Sequence, residues 1–156
     1  MKKNKNIAIV SFESKKTDLI EWSYFNKELL LPHAIFASGF AANILEGTLN
    51  KTISELEAGN MGGYRQLCNL INDGKIDALI IFGESHEVFE NKDLKGILDA
   101  AVQNNIIVAA NRTTADFVLH SSLLQNEYKI HLQEKKLTDD NRMLGATASY
   151  PLAKAS

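Results

Sequence analysis

Four short segments of this chain carry glycine, hydroxyl or charged residues, and three of the four favour an anion. The four are Glu13-Ser14-Lys15-Lys16, Ser38-Gly39-Phe40-Ala41, Gly59-Asn60-Met61-Gly62-Gly63 and Gly83-Glu84-Ser85-His86-Glu87. Glycine lets a backbone come close to a ligand, unpaired N–H groups at a helix start point outward at the positive end of the dipole, and a lysine adds a full charge. Together these make a phosphate cradle. The same glycines serve equally as plain turns beside solvated lysines, and spacing alone leaves both readings open. No P-loop or dinucleotide fingerprint is present. His33, His86, His120 and His131 are scattered, with no pair four residues apart, so no metal site is expected. Cys68 is the only cysteine, which excludes an internal disulfide and a cysteine metal cluster. Between Leu67 and Leu70 on a helix it reads as an inert thiol rather than a nucleophile.

Those segments can act together only if the fold brings them to one place. Ile7 to Phe12 has the short, β-branched, apolar pattern of a strand buried on both faces. The spacing of Leu19, Ile20, Trp22, Phe25, Leu29 and Leu30 predicts a helix over 17–31, closed by Pro32. Ala34 to Ala37 reads as a second strand and 41–46 as a short helix stopped near Gly47. Residues 48–58 fit either period and stay unassigned. A helix is predicted from Tyr64 to Asp73, ended by Gly74. Ile76 to Phe82 is the strongest strand, followed by a helix from Asp93 to Asn104, a strand from Ile106 to Ala109, and a helix over 113–119 capped by Asn111 or Thr113. Tyr128 to Leu132 alternates like an edge strand, and 143–156 fits a packed arm or a frayed end. Repeated strand–helix–strand units with short connections predict a parallel sheet covered by helices on both faces. In such a sheet ligands settle outside the carboxyl ends of the strands, where the four segments fall.

Composition narrows the class. At 156 residues the chain has the size of one domain, and 45% hydrophobic with 23% charged residues is the make-up of a soluble globular protein. A net charge of -2 excludes the overall footprint of a nucleic-acid binder or a polybasic membrane protein, so any anion must be held locally. The longest apolar runs, at 78–82 and 106–110, fall far short of the ~20 residues of a membrane helix. The basic start runs directly into a strand without the apolar region of a signal peptide, so a cytoplasmic location is expected.

The order and spacing of several motifs resemble those of the methylglyoxal synthase family. The motifs are Ser38-Gly39 entering a helix, Gly59-x-Met61-Gly62-Gly63, Gly74-x-Ile76-Asp77-x-Leu79-Ile80-x-Phe82 and Asn111-x-x-Thr114-Ala115-Asp116-Phe117. The resemblance spans about residues 6–132, leaving 133–156 as a C-terminal extension of a single domain. It implies an α/β, Rossmann-like parallel sheet of five strands, a homo-oligomer (a hexamer in the synthases), no metal and no cofactor. The activity implied is elimination of phosphate from dihydroxyacetone phosphate to give methylglyoxal, with inorganic phosphate as the other small ligand.

Carried onto this sequence residue by residue, the resemblance gives a changed site. The phosphate-gripping lysine matches Lys16. The family's Thr-Gly-Thr-Thr loop appears as Ser38-Gly39-Phe40-Ala41, and Ala58, followed by Gly59, stands where a serine precedes glycine; three hydroxyl donors are thus missing. The aspartate after Gly62-Gly63, the family's proton-abstracting base, is here Tyr64, a phenol ionised only about one part in a thousand at neutral pH. A histidine–aspartate pair becomes Phe12-Glu13, an aspartate after the strong strand becomes Glu84, and a helix-start aspartate is kept as Asp93. Glu13, Glu84 and Asp93 are therefore candidate substitute bases if they share one pocket. Three functions follow: a triose phosphate binder whose elimination chemistry is limited by Tyr64, a non-catalytic module that binds a phosphorylated metabolite, or an oligomeric interaction protein with no small ligand, which the retained Lys16 and glycine loops make least attractive.

Overall fold

The structure is a computed structural model that describes residues 4–57 and 62–128. Five parallel strands form one sheet in the order β3-β2-β1-β4-β5: β1 (Asn6–Ser11), β2 (Ala34–Ser38), β3 (Ser54–Leu56), β4 (Ala78–Phe82) and β5 (Ile107–Ala109). Register is fixed by pairs such as Ile7 with Ile35 and Ser11 with Phe82. Side chains alternate between the two faces, as the pleat demands. Ile7 and Ile9 join a core on one face, with Leu19, Trp22, Leu45 and Leu119. Ala8 joins a core on the other, with Leu67, Ile71, Leu94 and Ile97. All five residues of β4 are buried, the mark of a central strand covered on both sides.

The first face carries α1 (Lys16–Phe25), α2 (Lys27–Leu30), α3 (Gly39–Leu49), α7 (Arg112–His120) and α8 (Ser122–Gln125). The second carries α4 (Gly63–Asn72), α5 (Ser85–Phe89) and α6 (Lys92–Gln103). No helix of the described residues is long and apolar enough to cross a membrane.

The helix predicted over 17–31 is in fact two. Asn26 leaves helical geometry at φ -105°, ψ 18°, and its side-chain amide donates to Trp22 O and to Asp116 Oδ1, tying the break to α7. The short helix expected to stop near Gly47 runs on to Leu49, because Leu45 and Leu49 are one turn apart and both fully buried. It ends where Asn50 takes left-handed geometry at φ 51°. The unassigned stretch holds β3, an edge strand of three residues too short to show a period. Asn111, not Thr113, caps α7, accepting the Thr114 N–H at 2.8 Å. Tyr128 is exposed and outside any strand, and the rest of the expected edge strand and extension lies outside the described residues.

The chain travels outward from β1 to β2 and β3, then crosses back to β4 and β5. The reversal lies between the carboxyl ends of β1 and β4, where the Phe12 N–H donates to Phe82 O at 2.8 Å.

Candidate functional site

Three helices start at the carboxyl ends of neighbouring strands without a side-chain cap. They are α1 after β1, α3 after β2 and α4 after β3. Residues Glu84, Asn91, Asn111 and Ser121 do cap α5, α6, α7 and α8 with their side chains. An uncapped N-terminus keeps N–H donors and the positive dipole end available to an anion, as at α3 and α4; at α1 a 3-10 turn over Glu13–Lys15 precedes the helix, and the Lys15 and Lys16 N–H groups already donate to Phe12 O and Glu13 O. At α3 the geometry is set by Ser38, extended and still in β2, and by Gly39, whose φ of 58° suits glycine above other residues. Phe40 is half-buried and Ala41 buried in the same first turn. Lys16, the first residue of α1, is exposed and forms no ion pair among the described residues. Gly62, at φ 102°, starts α4, and buried Gly63 is its first residue. Ala58 and Gly59 lie outside the described residues.

At the switch point the Phe12 ring takes the place above Gly83, where a Cβ would lie 2.7 Å from Phe12 Cδ2 and 3.1 Å from Val88 Cγ2. Glu84 and Glu87 form a reciprocal capping box at the start of α5, each carboxylate accepting the other's backbone N–H. The Ser14 hydroxyl also donates to Glu87 Oε1 at 2.6 Å. That bond, with the Glu84 N–H, holds the Glu87 carboxyl below its usual range. Glu84 also faces Lys15, with Nζ 3.4 Å from Oε2. Lys15, Asp18, Gly83 and Arg112 line a cleft of about 330 Å³ at the ends of β4 and β5. Arg112 binds Glu21 at 2.8 Å and Asp18 at 3.3 Å, and these bonds raise its already high pKa.

Tyr64 sits in the first turn of α4, half-buried against the second core. Burial pushes its phenol above 10.0, and the negative charge of Asp93 pushes in the same direction. A phenol so placed stays protonated at neutral pH and can donate a hydrogen bond but not abstract a proton. Asp93 is exposed in the first turn of α6, its N–H bonded to the Asn91 side chain at 2.9 Å.

The candidate carboxylates differ in the partners the structure shows. Glu84 belongs with Lys15, Asp93 with Tyr64, and the exposed Glu13 carboxylate has no hydrogen bond or ion pair among the described residues. Lys15, Glu87 and Arg112 were not singled out from sequence. Lys15 lies beside the residue that was, and Arg112 directly follows β5 and its capping Asn111, a position at the carboxyl end of a strand that merited notice. Among the described residues no three His, Cys, Asp or Glu side chains gather as a metal ion would need.

No protein-family model matches the chain. Curated relatives do. The chain is 35% identical over 140 residues to methylglyoxal synthase of Erwinia tasmaniensis, covering 89% of this chain and 92% of that one. It is 36% identical over 134 residues to methylglyoxal synthase of Oleidesulfovibrio alaskensis, covering 82% and 88%. Its fold is similar to the crystal structure of methylglyoxal synthase from Elizabethkingia anophelis, with a TM-score of 0.75 and 28% identity over 85% of this chain and 88% of that one.

Proposed function

The chain belongs to the methylglyoxal synthase family, and from that premise we propose that it binds dihydroxyacetone phosphate and eliminates its phosphate slowly to give methylglyoxal. The observation that carries the binding half is the pair of uncapped helix N-termini at the carboxyl ends of β2 and β3, with the exposed Lys16 in the first turn of α1. In this reading the phosphate lies on the backbone N–H groups of residues 39 to 41, with the Ser38 hydroxyl, Gly59 and the Lys16 ammonium completing the grip.

Elimination then needs a proton removed from the hydroxymethyl carbon beside the carbonyl. The electrons pass to the carbonyl oxygen as an enediolate, and the proton of the former hydroxymethyl hydroxyl shifts to that oxygen. The hydroxymethyl oxygen then closes to an aldehyde C=O, the C=C moves to the phosphate-bearing carbon, and phosphate leaves with cleavage of its C–O bond. The enol left behind gains a proton on its terminal CH2 and loses its hydroxyl proton to become methylglyoxal. Tyr64, held protonated, serves as donor to the developing oxyanion, and proton removal falls to Asp93, whose charge bears on that phenol. A phenol in the base position removes a contribution of ~10² to 10⁴ in rate. A non-catalytic phosphate sensor is the second reading, favoured by the same protonated phenol.

The test is methylglyoxal formation by the purified protein beside its Tyr64→Asp variant, with calorimetry of dihydroxyacetone phosphate and inorganic phosphate. We expect heat with both ligands, a slow wild type and a faster variant. A wild type turning over ~10 molecules per second would refute the attenuated site, binding without turnover in either protein would leave the sensor, and no heat at millimolar ligand would refute binding.

We infer further that the chain works in the cytoplasm as one domain with 133–156 as an extension, in a homo-oligomer with the family's hexamer as the expected form. Exposed Tyr24, Phe25, Phe117 and Leu123 on α1, α7 and α8 supply apolar surface for such contacts. Sedimentation velocity would test it.

A further inference from the structure

A second cavity, of about 550 Å³, opens at the opposite, amino end of the sheet. Lys5, Asn6, His33, Lys51, Thr52 and Ser54 are among its lining residues, and no carboxylate lines it. Two lysines and a histidine among the lining residues of one hollow stand out in a chain whose net charge is -2, with Asp77 behind Asn6 the nearby acid.

The groups are held in place by the main chain. The Lys5 ammonium donates to Asn126 O at 2.8 Å, and Lys5 is only 6% exposed. The Lys51 ammonium donates to Leu31 O at 2.7 Å and to His33 O, which uses two of its three protons. It has no carboxylate within ion-pair distance among the described residues. Two carbonyl oxygens orient that cation without neutralising it, and burial makes its charge costly enough to lower its pKa.

His33 adds an independent observation. It is 2% exposed, its Nδ1 accepts the Lys5 N–H at 2.9 Å, and its Nε2 is buried without a partner. With Nδ1 an acceptor, the neutral ring carries its proton on Nε2, so the orphan is a donor. A buried donor left unpaired is unfavourable and wants an acceptor. Burial and the charges of Lys5 and Lys51 keep the ring neutral against the opposing pull of Asp77.

We propose that this cavity is a second anion-binding site, taking a small oxyanion of the phosphate type between Lys51, His33, Thr52 and Ser54, at the end of the sheet opposite the site described above. The third Lys51 N–H and the Thr52 and Ser54 hydroxyls supply donors at the rim, and an oxygen admitted to His33 gives its Nε2–H the acceptor it lacks. The proposal does not depend on the chemistry at the carboxyl end.

Inorganic phosphate is the probe, titrated into ¹⁵N-labelled full-length protein at millimolar concentration and constant ionic strength. The amides of His33, Thr52 and Ser54 are expected to shift along one saturating curve, distinct from that of Gly39 and Gly83, with the His33 ring pKa rising as the anion binds. Thr52→Glu puts a carboxylate at the rim and is expected to weaken the amino-end curve by about tenfold or more, leaving the Gly39 curve unchanged. Lys51→Gln should act alike, and Thr52→Glu stands alone if Lys51→Gln fails to fold. Still amides at His33, Thr52 and Ser54, the same shifts with chloride, or a curve unmoved by Thr52→Glu would each overturn the proposal.

Discussion

The Phe12 ring and Gly83 are packed so closely that the glycine's missing side chain is part of the contact. A Cβ at Gly83 would come within 2.7 Å of Phe12 Cδ2 and 3.1 Å of Val88 Cγ2. Val88 is buried in the core and cannot easily withdraw, and the Phe12 N–H bond to Phe82 O holds the main chain from which the half-buried ring projects. Gly83→Ala is therefore expected to destabilise the protein by about 1–3 kcal/mol through overpacking. Phe12→Leu in the same chain should recover a substantial part of that loss. Urea denaturation of the two single variants and the double variant measures the coupling, and additive effects would contradict the contact.

Tyr64 is expected to act as a donor rather than a base, because burial and Asp93 both favour its protonated form. Tyr64→Phe keeps the ring and its packing and removes only the hydroxyl, so it is expected to slow any turnover by no more than about 10²-fold, the lower range of an oxyanion donor. The pH profile of the wild type should show no rise from ionisation of this phenol below pH 10.0. A base acting as phenolate would instead give a rate climbing tenfold per pH unit across the neutral range and lost altogether in the Phe variant.

The parallel sheet was legible because β1 and β4 are apolar and β-branched on both faces, and a strand so buried has few other readings. Helix ends were less so. Asn26 breaks a helix by bonds to Trp22 O and to Asp116, ninety positions away, which local periodicity cannot show. β3 was missed as three residues stabilised by pairing with β2 rather than by their own pattern. At the site, motif spacing pointed to Lys16, yet the ion pairs there belong to Lys15, because the turn between β1 and α1 decides which lysine faces Glu84. His33 gave no signal at all, since an isolated histidine after a proline reveals neither burial nor neighbours.

The Lys15–Glu84 pair places an anion beside a cation that could serve a ligand. At 3.4 Å and with side chains 32% and 48% exposed, the pair contributes little stability, about 0–1 kcal/mol. Its influence on binding is larger in proportion, because an incoming phosphate meets the Glu84 charge beside the Lys15 ammonium. Glu84→Gln keeps an acceptor for the α5 cap and removes that charge. We expect phosphate to bind a few-fold more tightly to this variant at low salt, with the gain shrinking as salt rises. Calorimetry at two ionic strengths reads both effects, and unchanged affinity would separate Lys15 from the binding site.

His33 gives the protein a pH dependence whose sign is set by burial. Its folded-state pKa is lowered from 6.5, first by desolvation and then by Lys5 and Lys51, with Asp77 opposing. Above 6.5 the ring is neutral in both states and makes no difference between them. Between 6.5 and the lower folded value the unfolded chain takes up a proton that the folded one refuses, so stability falls as pH falls and levels off below the folded pKa. His33→Asn keeps an acceptor for the Lys5 N–H and removes the titration. It is expected to lower stability at pH 7.5 through lost packing, and to flatten the decline of stability between pH 6.5 and 5 relative to wild type. Urea midpoints across that range measure the slope, and an equally steep decline in His33→Asn would assign the acid sensitivity to another group. Phosphate bound at the amino end of the sheet would raise the ring's pKa and flatten the same slope in the wild type, which ties this measurement to the occupancy of that cavity.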